Sequence, residues 1–179
     1  MTRYSLLAEI LHQEHVTTIG ALSALEERIY GHDKNNPINA LGAEGRAELQ
    51  ALLDVIDREI NQHFRFEEER LFPMLVRKGY GELATLLEQE HDAIRSLSAS
   101  LAAEADAALA RGFDRESWQA YREAGMDLIP SVMFHIQKEE TAVIECLNMF
   151  LEAETDRALA EEYSRARTNP NADERPIDR

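Results

Sequence analysis

The chain has 179 residues, with 34 acidic against 19 basic side chains and a formal net charge of -15. That length fits one domain whose core needs no disulfides, and so negative a chain repels phosphate backbones and anionic surfaces, so no nucleic acid and no membrane is expected as a partner. Only eight Gly and five Pro stand beside abundant Ala, Leu, Glu and Arg, which favours long helices over short strands and makes all-α the expected class.

Met1 to Leu7 shows no basic stretch leading into an apolar run, and no window approaches the apolar length of a membrane span, so a cytoplasmic location is expected. From about Tyr4 to Tyr30 the residues Leu6, Leu7, Ile10, Leu11, Ile19, Leu22, Leu25 and Ile29 recur at three and four, predicting a first helix. Gly31 to Asn39 breaks it, and His32 in that loop is expected to be solvated. A second run, from about Gly45 to Lys78, carries Leu49, Leu52, Leu53, Ile56, Ile60, Phe64 and Leu71 and ends at Gly79-Tyr80-Gly81. So short a connection predicts antiparallel neighbours. The third helix is expected from about Glu82 to Ala110, closed by Gly112, after which Asp114 is a suitable N-cap for a fourth carrying Trp118, Tyr121, Met126 and Leu128. Pro73 and Pro130 fall inside helical pattern and are expected to disturb it locally. The domain is expected to span 1–165, with 166–179 a disordered tail that has little to bury. The lone Cys146 is expected to be a buried structural thiol.

The two halves of the chain repeat one pattern. Leu11-His12-Gln13-Glu14-His15 matches Leu87-Glu88-Gln89-Glu90-His91, while His63, Glu67 and Glu68 match His135, Glu139 and Glu140. A His and a Glu four residues apart share a helix face, so His63 with Glu67 and His135 with Glu139 can point at one centre. At a rise of about 1.5 Å per residue, His15 lies roughly 22 Å before the end of its helix and His63 a comparable distance into the next. His91 and His135 lie at similar distances, on the order of 30 Å, either side of the loop near Gly112. In an antiparallel bundle all four imidazoles then share a layer.

Phe64, Leu71, Met133, Phe134, Ile136 and Val143 make the surroundings apolar, so inward carboxylates need an ion pair, a proton or a metal. Arg95 and Lys138 could supply ion pairs, but four convergent imidazoles point to metal. One His-x-x-x-Glu on a charged helix is ordinarily a surface pair; two, each matched with a Glu-His helix at equal depth, argue against histidines that merely fill the core of a metal-free interaction protein. Imidazole with carboxylate suits iron, zinc or manganese, and Glu67 and Glu139 are expected to bridge two ions. Helices 2 and 4 lack the reversed Glu-x-x-His of ferritin-like bundles. His12 could ligate in place of His15, although the repeat, with Glu88 at the equivalent position, favours His15. Glu68 and Glu140, about 100° round the helix from their neighbours, are expected to face the flank or hydrogen-bond a ligand imidazole.

Glu14-His15, His63-Phe64-Arg65-Phe66-Glu67-Glu68 running into Leu71-Phe72-Pro73, Glu90-His91, and His135-Ile136-Gln137-Lys138-Glu139-Glu140 together resemble the hemerythrin HHE cation-binding family, from about Leu6 to Leu151. The resemblance implies an up-down-up-down antiparallel four-helix bundle around a non-haem di-iron centre. It implies two iron ions with an oxo or hydroxo bridge, replaceable by manganese or zinc, and His15, His63, Glu67, His91, His135 and Glu139 as the metal ligands. The oxygen-carrying branch has His-x-x-x-His in its third helix, whereas Arg95 stands at that distance from His91. The four-His, two-Glu set is similar instead to the branch that answers nitric oxide and oxidative stress and has been linked to repair of iron-sulfur centres; the cysteine-bearing amino-terminal segment common there is not seen in this sequence. The expected function is to bind or react with a small molecule such as O2, NO or peroxide, with no protein nucleophile or acid-base pair. The alternative is an iron- or redox-dependent sensing module without turnover.

Overall fold

A computed structural model describes residues 5–32 and 35–168. Helix α1 is Leu6–Gly31, opened by Ser5, whose side chain accepts from the Ala8 amide. Helix α2 covers 43–77 without interruption: Ala43–Val55, a π-helical stretch Ile56–Gln62, His63–Phe66, a second π-helical stretch Glu67–Leu71, and Phe72–Arg77. Helix α3 is Gly81–Arg111. Its end is set by Gly112, at φ 80, a left-handed conformation that only glycine adopts without cost. Helix α4 covers 115–150 as Arg115–Lys138, a π-helical stretch Glu139–Val143, and Ile144–Phe150, and starts from a capping box in which Asp114 and Ser117 satisfy each other's backbone. These four form the expected all-α, up-down-up-down bundle.

A fifth helix, α5 (Ala153–Thr168), was not expected. It packs against α1, and its buried Asp156 accepts from the amides of Leu6 and Leu7 and from the Ser5 hydroxyl. Amides at a helix start have no partner within the helix, and a carboxylate there also meets the positive end of the helix dipole. Helix α5 continues past 165 to Thr168; the remainder of the expected tail lies outside the described residues.

The core divides into two apolar clusters. One holds Leu22, Leu25 and Ile29 of α1, Leu49 to Phe64 of α2, Ile94 to Ala108 of α3 and Trp118 to Ile136 of α4. The other holds Leu7 and Leu11 of α1, Phe66 to Leu75 of α2, Leu87 of α3, Val143 and Leu147 of α4, and Tyr163 of α5. In α1 and α3 the sequence between the two clusters contains the predicted imidazole, and in α2 and α4 His63 and His135 stand one residue before the last member of the first cluster. The antiparallel register therefore puts one polar layer between two dry ones.

The prolines behave differently from each other. Pro73 is the second residue after a π-helical turn, whereas Pro130 sits within the α-helical segment Arg115–Lys138. The irregular turn of α4 is at Glu139–Val143, where no proline follows, so proline is not its cause. No described helix is long and apolar enough to cross a membrane.

Candidate metal centre

The structure brings His15, His63, Glu67, His91, His135 and Glu139 together in the layer between the clusters, all buried. The two carboxylates stand between two imidazole pairs. Glu67 turns Oε1 to His63 Nε2 at 3.3 Å and Oε2 to His91 Nε2 at 3.4 Å. Glu139 turns Oε1 to His135 Nε2 at 2.9 Å and Oε2 to His15 Nε2 at 3.1 Å. Each carboxylate thus offers one oxygen to the α1–α2 pair and the other to the α3–α4 pair.

Behind these six lies a ring of four more glutamates. Glu14 of α1 accepts from His63 Nδ1 at 2.9 Å, Glu68 of α2 from His91 Nδ1 at 2.8 Å, Glu90 of α3 from His135 Nδ1 at 3.0 Å, and Glu140 of α4 from His15 Nδ1 at 2.5 Å. Every bundle helix holds the imidazole of the next, and the last holds that of the first. Since a carboxylate only accepts, each Nδ1 carries the hydrogen, and in the neutral imidazole each Nε2 has its lone pair aimed inward.

The ring is in turn anchored by basic side chains. Arg95 grips Glu68 with two nitrogens at 2.7 and 2.9 Å, Lys138 reaches Glu90 at 2.8 Å, Arg167 reaches Glu14 at 2.6 Å, and His12 donates to Glu140 at 2.9 Å. Arg95 and Lys138 therefore neutralise outer glutamates, and among the described residues no Lys or Arg pairs with Glu67 or Glu139. His12, with 51% of its side chain exposed, belongs to this outer layer, whereas His15 is buried in the central one. Glu68 and Glu140 take the second of their two expected roles, holding imidazoles.

Glu67 and Glu139 each begin a π-helical turn. The π turn adds a residue to the helical circuit and is frequent at functional sites. Its recurrence at both central carboxylates ties it to the centre they share, where adjacent glutamates serve different imidazoles.

The electrostatics follow from burial and proximity. Burial disfavours charge on His15, His63 and His91, yet neighbouring carboxylates outweigh it: Glu139 holds His15 above the usual histidine value, Glu67 and Glu14 hold His63 well above it, and Glu139 with Glu67 raises His91 to about 9. Burial likewise opposes ionisation of Glu139, but His135, His15 and His91 hold it well below the usual carboxylate value. Glu68, Glu90 and Glu140, despite partial burial, are also held low by their cationic and imidazole partners.

Six of the seven buried side-chain nitrogens and oxygens without a hydrogen-bond partner among the described residues are in this layer: His15 Nε2, His63 Nε2 and both oxygens of Glu67 and Glu139. Their mutual approaches are close but lack hydrogen-bond angles. His91 Nε2 and His135 Nε2 meet at 3.0 Å, an approach that needs a proton or a metal ion between their lone pairs. Orphaned buried polar atoms cost free energy, and these are the nitrogens and oxygens a cation would bind. Two groups have donor atoms within 4.8 Å of one another: Glu67, His91, His135 and Glu139, and His15, His63 and Glu139. The donor set fits metal.

Several expectations about the surroundings change. Phe134 is 63% exposed and Met133 is also on the surface, so neither lines the centre. Phe64 does, stacked on His91 with centroids 3.6 Å apart. His32 is partly buried, edge-on to Trp118, rather than fully solvated. Cys146 is buried and free, as expected, and burial pushes its thiol up. Tyr163 of α5, whose hydroxyl donates to Glu14 Oε2, was missed altogether.

An all-helical bundle with four imidazoles and two carboxylates converging between dry clusters defines a metal-binding helical domain. The chain belongs to the hemerythrin HHE cation binding domain family, whose model matches residues 6–147. It is 28% identical over 138 residues to a protein of Haemophilus influenzae described as a probable iron-sulfur cluster repair protein, a match that takes in 72% of this chain and 55% of that one. The chain thus spans about half the length of this curated relative.

Proposed function

We propose that the chain holds two iron ions, one between His15 and His63 and one between His91 and His135, bridged by Glu67 and Glu139, and that it binds or reacts with a small molecule such as O2, NO or peroxide. The observation that carries this is the division of each central carboxylate, one oxygen towards each imidazole pair. Iron in this setting supplies redox chemistry and coordination positions that protein donors do not fill. The chain's own residues do the rest: the glutamate ring fixes the tautomer and aim of each imidazole, and the apolar clusters keep the layer dry. Arg95, committed to Glu68, stands where a further imidazole would have come from α3. We place this activity in the cytoplasm and in the response to oxidative or nitrosative stress; the Haemophilus influenzae relative, described as a probable iron-sulfur cluster repair protein, supports the link to iron chemistry.

The test is metal content per chain, by mass spectrometry on protein from iron-supplemented cells, with near-ultraviolet absorption. About two irons per chain with bridge charge-transfer bands is the expected result, after which the reduced protein is mixed with O2, NO and peroxide in turn; absence of stoichiometric metal overturns the proposal. A second reading, a sensing module without turnover, is favoured by the contact of α5 with Glu14, which links the centre to an element outside the bundle. Sustained peroxide or NO consumption decides against it, and an iron-dependent change of association decides for it.

A further inference from the structure

The four outer glutamates are not held alike. Glu68 and Glu90 are held by Arg95 and Lys138 on the bundle helices, and Glu140 by the exposed His12. Glu14 alone is gripped by a fifth element: the Tyr163 hydroxyl donates to the same Oε2 that accepts from His63 Nδ1, and Arg167 takes Oε1 at 2.6 Å. Tyr163 is fully buried, its ring 4.4 Å from Phe66 and edge-on to His63 at 6.2 Å.

Helix α5 is fastened independently of the centre. Asp156 caps α1, and Glu162 pairs with Arg70 of α2 at 2.6 Å. The Tyr163 hydroxyl therefore arrives at Glu14 from a fixed position. Both helix and hydroxyl lie beyond residues 6–147, the part of the chain the family model matches.

We infer that Tyr163, supported by Arg167, is a positioning residue for the α1–α2 half of the centre: it fixes Glu14, which fixes the His63 ring, so that α5 makes the two ion positions unequal. This rests on the two-ion reading above. Without the hydroxyl, Glu14 Oε2 keeps the imidazole but loses one of the two donors, Arg167 being the other, that restrain the carboxylate from turning. The His63 ring then loses a fixed acceptor, and its Nε2 loses its aim. Changes of such supporting groups typically cost 10- to 100-fold in metal affinity.

The test is Tyr163→Phe in the full chain, which keeps the ring against Phe66, studied beside the wild type by 57Fe Mössbauer spectroscopy and by iron release to a chelator. One of two iron doublets should shift or lose area, and its iron should leave about 10- to 100-fold faster, while the other doublet and the melting temperature of the metal-free chain stay as in the wild type. Arg167→Gln should disturb the same doublet, and Arg95→Gln, acting through Glu68 on His91, the other. Two irons with unchanged spectra and release rates in Tyr163→Phe overturn the inference alone, as does an equal change of both doublets with a lower melting temperature, the mark of a merely structural role. A wild type without stoichiometric metal overturns the two-ion reading, and the inference falls with it.

Discussion

Each imidazole of the centre has its Nδ1–H held by a carboxylate on another helix, so that support can be weakened without touching a metal donor. Glu68→Gln and Glu140→Gln are each expected to lower metal affinity about 10- to 100-fold, read by competition with a chromophoric chelator. His12→Ala should leave the metal content unchanged, because exposed His12 reaches only Glu140; loss of metal there would return His12 to the ligand set. The charges also set a pH profile for the metal-free chain. His15, His63 and His91 are raised, so their stabilisation is complete below about 6.5 and is lost as pH climbs through the folded values, about 9 for His91. Glu139 is lowered, so its stabilisation is present above about 4.5 and is lost as pH falls through its depressed value. The melting temperature of the metal-free chain should therefore fall between about pH 6.5 and 9, and a flat profile there would contradict the arrangement. The six central residues could be read from sequence because His-x-x-x-Glu fixes a shared face and the repeat doubles it. Glu14 and Glu90 could not be assigned roles, since a residue beside a histidine points about 100° away and its partner is known only once the neighbouring helix is placed.

At the scale of elements, apolar periodicity sufficed for four helices and failed for the fifth. The buried face of α5 is Asp156, Ala160 and Tyr163, helical in spacing but not an apolar stripe, because it satisfies polar groups of α1 as well as covering the core. The π turns were equally hidden. Glu67–Leu71 and Glu139–Val143 share only their paired glutamates, and the third π-helical stretch, Ile56–Gln62, has no such pair, so no common local signal marks them. Gly45 gives a testable case in which packing reverses propensity. In the first turn of α2 alanine would ordinarily favour the helix by up to about 1 kcal/mol, but a Cβ on Gly45 would lie 2.3 Å from the Asn39 carbonyl oxygen and 2.9 Å from its carbon. Backbone atoms of the preceding loop cannot turn aside as a side chain can. Gly45→Ala is expected to destabilise by about 1–3 kcal/mol, measured by urea unfolding; a stabilised variant would show that the loop yields freely.

The whole molecule places a polar layer where a continuous core would be more stable. Buried carboxylates and imidazoles carry desolvation costs that their mutual attraction offsets only in part, and the orphaned atoms of His15, His63, Glu67 and Glu139 mark the deficit. A cation that binds the folded chain, and not the unfolded one, offsets it by linkage. At free metal about 100-fold above the dissociation constant the gain is about 2.7 kcal/mol per ion. At roughly 2–4 °C per kcal/mol for a domain of this size, that predicts a rise on the order of 5–10 °C for each ion bound. Calorimetry under anaerobic conditions, with ferrous iron against a chelator, should show this rise in the wild type. In the double variant His63→Ala with His135→Ala each imidazole pair loses a donor, and iron should leave the melting temperature where the chelator does. An equal rise in the double variant would mean that iron stabilises the chain from somewhere other than this layer.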